Sequence, residues 1–224
     1  QGKLWIGTDN GLDFFDRANG QFIHYQNATN DPNSLSNNSI LSIYEDSSGV
    51  LWVGSNGGGL NKFEPENETF THFREKDGLA NDTVYGILED AQNNLWLSTN
   101  QGLVRFDPTR ETFHNYDVGD GLQSNEFSAN AYFLSSSGEM FFGGVNGLNS
   151  FHPQTIHDNP FAPELTLTAL TQGGEALPDV QNPEMLEALV LSWPDNFFEF
   201  EVAALNFQQS HKNQYAYMLE GYDE

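Results

Sequence analysis

The sequence predicts an all-β protein in which four consecutive four-stranded blades of a partial β-propeller are followed by an incomplete β-sandwich. A motif of the form Leu-Trp-Ile-Gly-Thr returns along the chain, and its aromatic residues Trp5, Trp52, Trp96 and Phe141 are separated by 47, 44 and 45 residues. Around each copy, short β-type runs alternate with Gly, Asn, Asp and Pro. Four such runs in a repeat of about 40–50 residues are typical of a propeller blade.

Each repeat presents its runs in the same order. The first, as in Ile40 to Glu45, ends at an Asp or Ser turn, and the second carries the aromatic residue, which we call the anchor. A Gly-Leu turn leads into the third run, which ends on Phe, as at Phe63. A fourth run of the form Phe-x-x-Tyr/Phe closes three of the repeats. Because one blade cannot bury both of its faces, we expect the four anchors to occupy equivalent buried sites between successive sheets.

These patterns divide the chain into two predicted domains. The blades cover residues 1–157, at about 1–26, 27–73, 74–116 and 117–157, and the first blade lacks its opening strand. Residues 158–224 are predicted to begin the sandwich and to stop before completing it. The features that predict its strands and turn are Pro163 to Leu170, Gly173-Gly174, Leu189 to Leu191, the alternation of Phe198, Phe200 and Val202 with Glu199 and Glu201, and the run Tyr215, Tyr217 and Leu219.

Composition excludes several function classes. The 32 acidic and 8 basic side chains give a formal net charge of −24, which repels phosphate backbones and anionic lipid headgroups. The charge is explained either by solubility or by attraction of cations or a basic ligand. With no cysteine, the chain can form neither a disulfide nor a thiolate metal site. No run approaches the roughly 18 consecutive apolar residues of a membrane span, and there is no signal-peptide pattern.

Histidines are the first candidates for metal or general-base chemistry. His24, His72 and Asn115 occupy the same position of three repeats, on strands that diverge from the propeller axis, so they are not expected to converge on one ion. Solvated strand residues are the favoured interpretation. The remaining candidates stand singly in loops: His152, His157 and His211.

Acidic turns at Asp16, Asp46 and Asp90 raise the alternative of calcium binding. None has the alternating order of oxygen ligands of an EF-hand loop, and an Asp that begins a β-turn through its side-chain oxygen explains them better. The sequence contains no Gly-x-Ser-x-Gly elbow. It therefore predicts no catalytic, cofactor-binding or metal-binding residue, no cofactor and no enzyme activity. Asn-x-Ser/Thr triplets, interpreted as chance, begin at Asn27, Asn37, Asn67 and Asn81.

The motifs resemble a known family. The motif Leu-Trp-Ile/Val-Gly-Thr/Ser, a Gly-Leu turn, Phe-Asp/Glu and Phe-x-x-Tyr/Phe, with linkers at residues 31–38, 77–82 and 120–125, resembles the two-component regulator propeller repeat of bacterial sensor proteins. The remainder resembles the Tyr-rich immunoglobulin-like domain that follows such propellers. The resemblance implies a ring of seven blades, of which this chain supplies four.

The resemblance also implies a function. It indicates an extracytoplasmic sensor, in the periplasmic part of an inner-membrane protein, that recognises a nutrient such as an oligosaccharide. The signal would pass through the immunoglobulin-like domain and a transmembrane segment to a cytoplasmic histidine kinase or GGDEF-type diguanylate cyclase. The small number of basic residues favours a neutral ligand, and the full-length receptor could be a homodimer. The alternatives are an interaction scaffold that dimerises through the sandwich, and a propeller lyase or glycosidase.

Overall fold

The computed structural model describes residues 4–157, 164–177, 197–205, 215, 217 and 218. The chain divides into two units, Gln1–His157 and Asp158–Glu224. Within the described ranges, the helices are short 3-10 turns: Glu75–Asp77, Val118–Asp120 and Pro153–Thr155. None of the helices in these ranges is long and apolar enough to cross a membrane.

The first unit consists of four antiparallel sheets in chain order, and each is built from consecutive strands. Sheet 1 contains β1 (Leu4–Thr8), β2 (Gly11–Asp16) and β3 (Gln21–Tyr25). Sheet 2 contains β4 (Ile40–Glu45), β5 (Leu51–Ser55), β6 (Gly59–Glu64) and β7 (Thr69–Phe73). Sheet 3 contains β8 (Val84–Glu89), β9 (Leu95–Thr99), β10 (Gly102–Asp107) and β11 (Thr112–Tyr116). Sheet 4 contains β12 (Phe127–Leu134), β13 (Met140–Gly144) and β14 (Gly147–Phe151).

The number of strands differs between the sheets. Sheets 2 and 3 have the four predicted strands, whereas sheets 1 and 4 each have three in the described part of the chain. Among the described residues, sheet 1 has no counterpart of β4. Sheet 4 has no counterpart of β7 or β11 among the described residues, because the chain turns into a 3-10 helix at Pro153–Thr155 directly after β14.

Successive sheets bury their apolar faces against each other. Because side chains alternate between the two faces of a strand, each sheet presents its Trp to the next sheet and its terminal Phe to the previous one. Ring centroids are 5.2 Å apart for Trp5 and Phe63 and 5.6 Å apart for Trp52 and Phe106. The pair between sheets 3 and 4 is at 4.8 Å. The same aromatic contact is therefore repeated at all three junctions.

The four anchors share one strand position but not one degree of burial. Trp52 and Trp96 are each only 1% exposed, and Trp5 is partly buried against sheet 2. Phe141 is partly exposed, and the neighbouring Phe142 is buried instead. The prediction of equivalent buried sites is thus confirmed for Trp52 and Trp96 and only in part for Trp5, which packs against sheet 2 but is partly buried. It is wrong for Phe141, whose face of sheet 4 no further described sheet covers.

The second unit has one described sheet, in the order β16-β15-β17: β15 (Leu165–Gln172), β16 (Glu175–Ala176) and β17 (Phe198–Ala204). The predicted Gly173-Gly174 turn has positive φ at both residues, 60° and 86°. The predicted strands at Pro163 to Leu170 and at Phe198 to Val202 correspond to β15 and β17. The run from Leu189 to Leu191, and Leu219, lie outside the described residues. The immunoglobulin-like identity of this unit stays a prediction.

Candidate ligand site at the inner rim

The first strands of successive sheets converge. β8 contacts both β4 and β12, and β12 also reaches β4, two sheets away. Strands that meet across several sheets are the ones nearest the common axis of a propeller. We call β4, β8 and β12 the inner rim. Loops and side chains at this rim are where ligands bind in propellers, because segments from every blade come together there.

Every strand of the inner rim contains a β-bulge. The register with the neighbouring strand shifts between Ile40 and Ser42 in β4 and between Val84 and Gly86 in β8, so one extra residue is inserted in each. In β12 the shift spans Phe127 to Tyr132 and inserts three extra residues. Bulges re-aim side chains and are over-represented next to functional sites. The rim therefore departs from regular pairing at equivalent places in all three sheets.

The linkers that lead into the strands of the inner rim are held in place by a repeated set of backbone hydrogen bonds. In sheets 1, 2 and 3, the glycine that opens the Gly-Leu turn donates its N–H to a carbonyl of the following linker, at 2.6–2.7 Å. These bonds run from Gly11 to Asn38, from Gly59 to Asp82 and from Gly102 to Asn125. The side chains of the same three acceptor residues each accept a backbone N–H of their own linker, at 2.7–2.9 Å. This explains the repeated linker pattern and pre-organises the loops.

Polar side chains form hydrogen-bonded pairs at the end of the inner rim where the linkers enter its strands, which we call the linker end. Ser39 Oγ donates to Asp9 Oδ1 at 3.0 Å, and the Tyr85 hydroxyl donates to Asn100 Oδ1 at 2.8 Å. A weaker contact at 3.4 Å joins Thr83 Oγ1 to Asn56 Oδ1. Each pair joins a residue entering the inner strand to the turn after the anchor strand. Hydroxyl, amide and phenol groups of this kind can bind a hydroxyl-rich ligand by hydrogen bonds and stacking.

Sequence reasoning did not identify this set. The linkers were visible as a repeat, but the bulges that re-aim Tyr85 have no local sequence signature. The one signal available was that polar residues recur directly after the anchor strands of the first three repeats, at Asp9, Asn56 and Asn100, and directly before the first strands, at Ser39 and Thr83.

At the opposite ends of the sheets, the acidic turns bind the protein itself. Asp46 Oδ2 accepts the Trp52 Nε1–H at 2.7 Å, and Asp90 Oδ2 accepts the Trp96 Nε1–H at 2.9 Å. Oδ1 of each accepts backbone N–H groups of the turn, as Oδ1 of Asp16 does from Ala18. Burial raises the pKa of Asp46, but hydrogen bonds from Ser48 and Trp52 outweigh it and leave the pKa below its usual range. These carboxylates begin β-turns, as the sequence indicated.

The histidine position of the repeat is dispersed over three sheets. His24 Nδ1 lies 2.7 Å from Asp13 Oδ1, and His72 Nε2 lies 2.7 Å from the Ser34 carbonyl oxygen. Burial lowers the pKa of His72, which is half-buried. Asn115 donates to a carbonyl instead. Across the described ranges, no three His, Cys, Asp or Glu side chains come together as metal ligands. His152 and His157 flank a 3-10 helix, and His211 is outside the described residues.

A comparison with known protein families identifies these repeats. Residues 34–57 and 78–101 match the model of the two component regulator propeller. The chain carries two-component regulator propeller repeats. The chain is also similar to a curated relative, Histidine kinase P4 of Formosa agariphila, with 32% identity over 232 residues. That alignment covers 99% of this chain and 17% of the relative, so the chain spans about one sixth of the relative's length.

Solved structures show the propeller fold of these repeats. The extracellular domain of a hybrid two-component system from B. thetaiotaomicron superposes with a TM-score of 0.57 at 23% identity, over 75% of this chain and 24% of that domain. A catalytically inactive virginiamycin B lyase from Staphylococcus aureus superposes with a TM-score of 0.50 at 14% identity, over 69% of this chain and 53% of the lyase. At these identities the likeness concerns the fold alone.

Proposed function

We propose that this chain is part of the extracytoplasmic ligand-sensing domain of a bacterial transmembrane receptor. The observation that carries the proposal is the set of two-component regulator propeller repeats, and the similarity to a relative named as a histidine kinase supports it. The inner rim supports it, because rigid linkers present pre-positioned polar groups where ligands bind in propellers. We also propose that the receptor lies in the inner membrane and that this domain lies in the periplasm.

The ligand we propose is a neutral oligosaccharide. The paired side chains at the linker end of the rim include hydroxyl, amide and phenol groups, which suit a sugar. With 32 acidic and 8 basic side chains, the chain repels an anionic ligand over long range. The proposed output is a cytoplasmic histidine kinase or diguanylate cyclase, reached through the unit that begins at Asp158.

The test has two parts. The first is the domain content of the full gene, which should include a transmembrane segment and a kinase or cyclase. In the second, the full-length protein is titrated with neutral hexasaccharides of glucose in different linkages, with oligogalacturonate as the charged comparator. A neutral sugar should raise the melting temperature and change kinase or cyclase activity. Absence of an output domain, or binding of oligogalacturonate alone, would contradict the proposal.

An interaction scaffold is the second candidate, and exposed apolar side chains on the outer faces of sheets 1 and 4 favour it. Phe22 is 50% exposed, Phe133 is 63% exposed and Leu148 is 60% exposed. If further blades of a seven-bladed ring cover these faces, the full-length protein should show no association through them. Light scattering compares the full-length protein with its Leu148→Asp variant. If the face is a scaffold surface, the variant should lose the association that the wild type shows; if further blades cover the face, neither protein should associate through it.

A further inference from the structure

The bulge in β12 differs from the other two rim bulges. In β4 and β8 a single residue is inserted, whereas β12 inserts three between Phe127 and Tyr132. Within this bulge, residues 129 and 130 are exposed, and residues 128 and 131 are partly buried. The inner rim therefore carries, on this one strand, a short segment whose side chains are not committed to strand pairing.

The backbone of the bulge is specialised at Asn130. Four non-glycine residues of the described ranges have positive φ, and three of them lie in turns. Asn130, with φ of 59°, lies within a strand. Left-handed backbone conformations are uncommon outside glycine and concentrate at functional sites. In this conformation the Asn130 amide is exposed and makes no hydrogen bond with the rest of the described chain.

Tyr132 is the first residue after the bulge, where pairing resumes with Phe142 of β13. Its ring packs over Gly86 of β8, where a side chain would collide with it. A tyrosine phenol is protonated at neutral pH, and burial raises the pKa of Tyr132 further. The hydroxyl has no hydrogen-bond partner among the described residues, in contrast to that of Tyr85. A ring fixed by packing, with an unpaired hydroxyl, lies two residues from an unpaired amide.

We propose that Asn130 in the bulge of β12, together with Tyr132 directly after the bulge, contacts the ligand and determines which neutral sugar the rim accepts. The inference rests on the proposed sensor function and adds its contact residues. An amide offers both donors and an acceptor to neighbouring sugar hydroxyls, and a tyrosine hydroxyl can donate or accept. Neither group is charged at neutral pH, which matches a neutral ligand. The single-residue bulges of β4 and β8 leave less chain free of pairing for this role.

The test compares Asn130→Gly with Asn93→Gly in the full-length protein. Both positions hold an asparagine with positive φ, 59° and 65°, and glycine adopts that conformation without strain. Asn93 lies in the turn between β8 and β9 and is the matched control. Kd is measured by calorimetry for the neutral glucose hexasaccharides. Losing one or two hydrogen bonds should weaken binding about tenfold in Asn130→Gly, and Asn93→Gly should leave Kd unchanged.

A second variant, Tyr132→Phe, keeps the ring over Gly86 and removes only the hydroxyl, with an expected loss of about threefold to tenfold. Melting temperatures of all variants verify that the fold is intact. If the wild type binds a neutral sugar and both variants bind it equally well, the role of the bulge is overturned and the sensor function stands. If the wild type binds none of the neutral sugars, the proposed ligand class fails together with the bulge.

Discussion

Sheets 3 and 4 are built from the same repeat and treat their anchors differently. In sheet 3, Asp90 begins the turn six residues before Trp96 and accepts its indole N–H at 2.9 Å. In sheet 4, Ser135 takes the place of Asp90 six residues before Phe141, and its Oγ accepts the backbone N–H of Glu139 at 2.9 Å. A buried indole requires a hydrogen-bond acceptor, whereas a phenyl ring does not. The turn residue and the anchor therefore change together.

The two sheets also differ in their neighbours. Trp96 is covered by Tyr116 and by Phe151 of sheet 4. Phe141 has its aromatic contact at 6.3 Å with Phe133, which is itself 63% exposed. A position in the repeat thus determines where a side chain lies on its strand, and the adjacent sheet determines whether it contributes to the core.

The largest expected effect is at the anchors. Trp96→Ala should lower the free energy of unfolding by about 3–5 kcal/mol, because it removes a large side chain from a closed core. Phe141→Ala should cost about 1 kcal/mol, because its side chain is already partly in water. Urea unfolding of both variants measures the difference. Equal losses would mean that another part of the protein covers Phe141.

The acceptor of the indole should come next. Asp90→Ala leaves the buried Trp96 N–H without a partner and should cost about 1–3 kcal/mol. Ser135→Ala removes a single acceptor from a partly exposed turn and should cost about 1 kcal/mol or less. The same unfolding assay compares them. Similar losses in free energy of unfolding in both sheets would show that Asp90 stabilises the fold through its turn and not through the hydrogen bond to the indole.

Two glycines that face residues of β12 provide a third comparison. A side chain at Gly86 would collide with the Tyr132 ring, so Gly86→Ala should cost about 1–3 kcal/mol. At Gly143 the new methyl would lie 3.1 Å from the Ala131 Cβ, and a small shift of the bulge can accommodate it, so Gly143→Ala should cost less than about 1 kcal/mol. A reversed order of melting temperatures would contradict the described packing of β12 on β8.

The smallest effect concerns pH. The pKa of Asp46 is lowered in the folded state, so its ionised form contributes stability at neutral pH, and this contribution is lost as the pH falls below about 4 through the folded pKa. Asp46→Asn should flatten that part of the stability curve, whereas Ser135→Ala should leave its shape unchanged because serine does not titrate there. Melting temperatures between about pH 2 and 7 test this. An unchanged slope in Asp46→Asn would exclude the carboxylate as its source.

Much of the fold was predictable from local pattern. Strand alternation, glycine turns and the spacing of the anchors identified all four sheets, and the Gly173-Gly174 turn with the strands beside it was also anticipated. The residues of the inner-rim site were harder to predict from the sequence. Tyr85, Asn130 and Tyr132 have no motif, because a bulge is defined by pairing with another strand and not by the residues that it contains.

The sequence by itself determined the elements, since alternation with a period of two and the φ preferences of glycine act within a few residues. Only the tertiary structure decided which side chains are buried and which partners they contact. Phe142 and not Phe141 enters the core, Asp46 and Asp90 accept hydrogen bonds from indoles, and β12 carries the long bulge. The physical reason is distance along the chain. The Trp96–Phe151 contact joins residues of neighbouring sheets, and its energy depends on how those sheets stack, which no local pattern records.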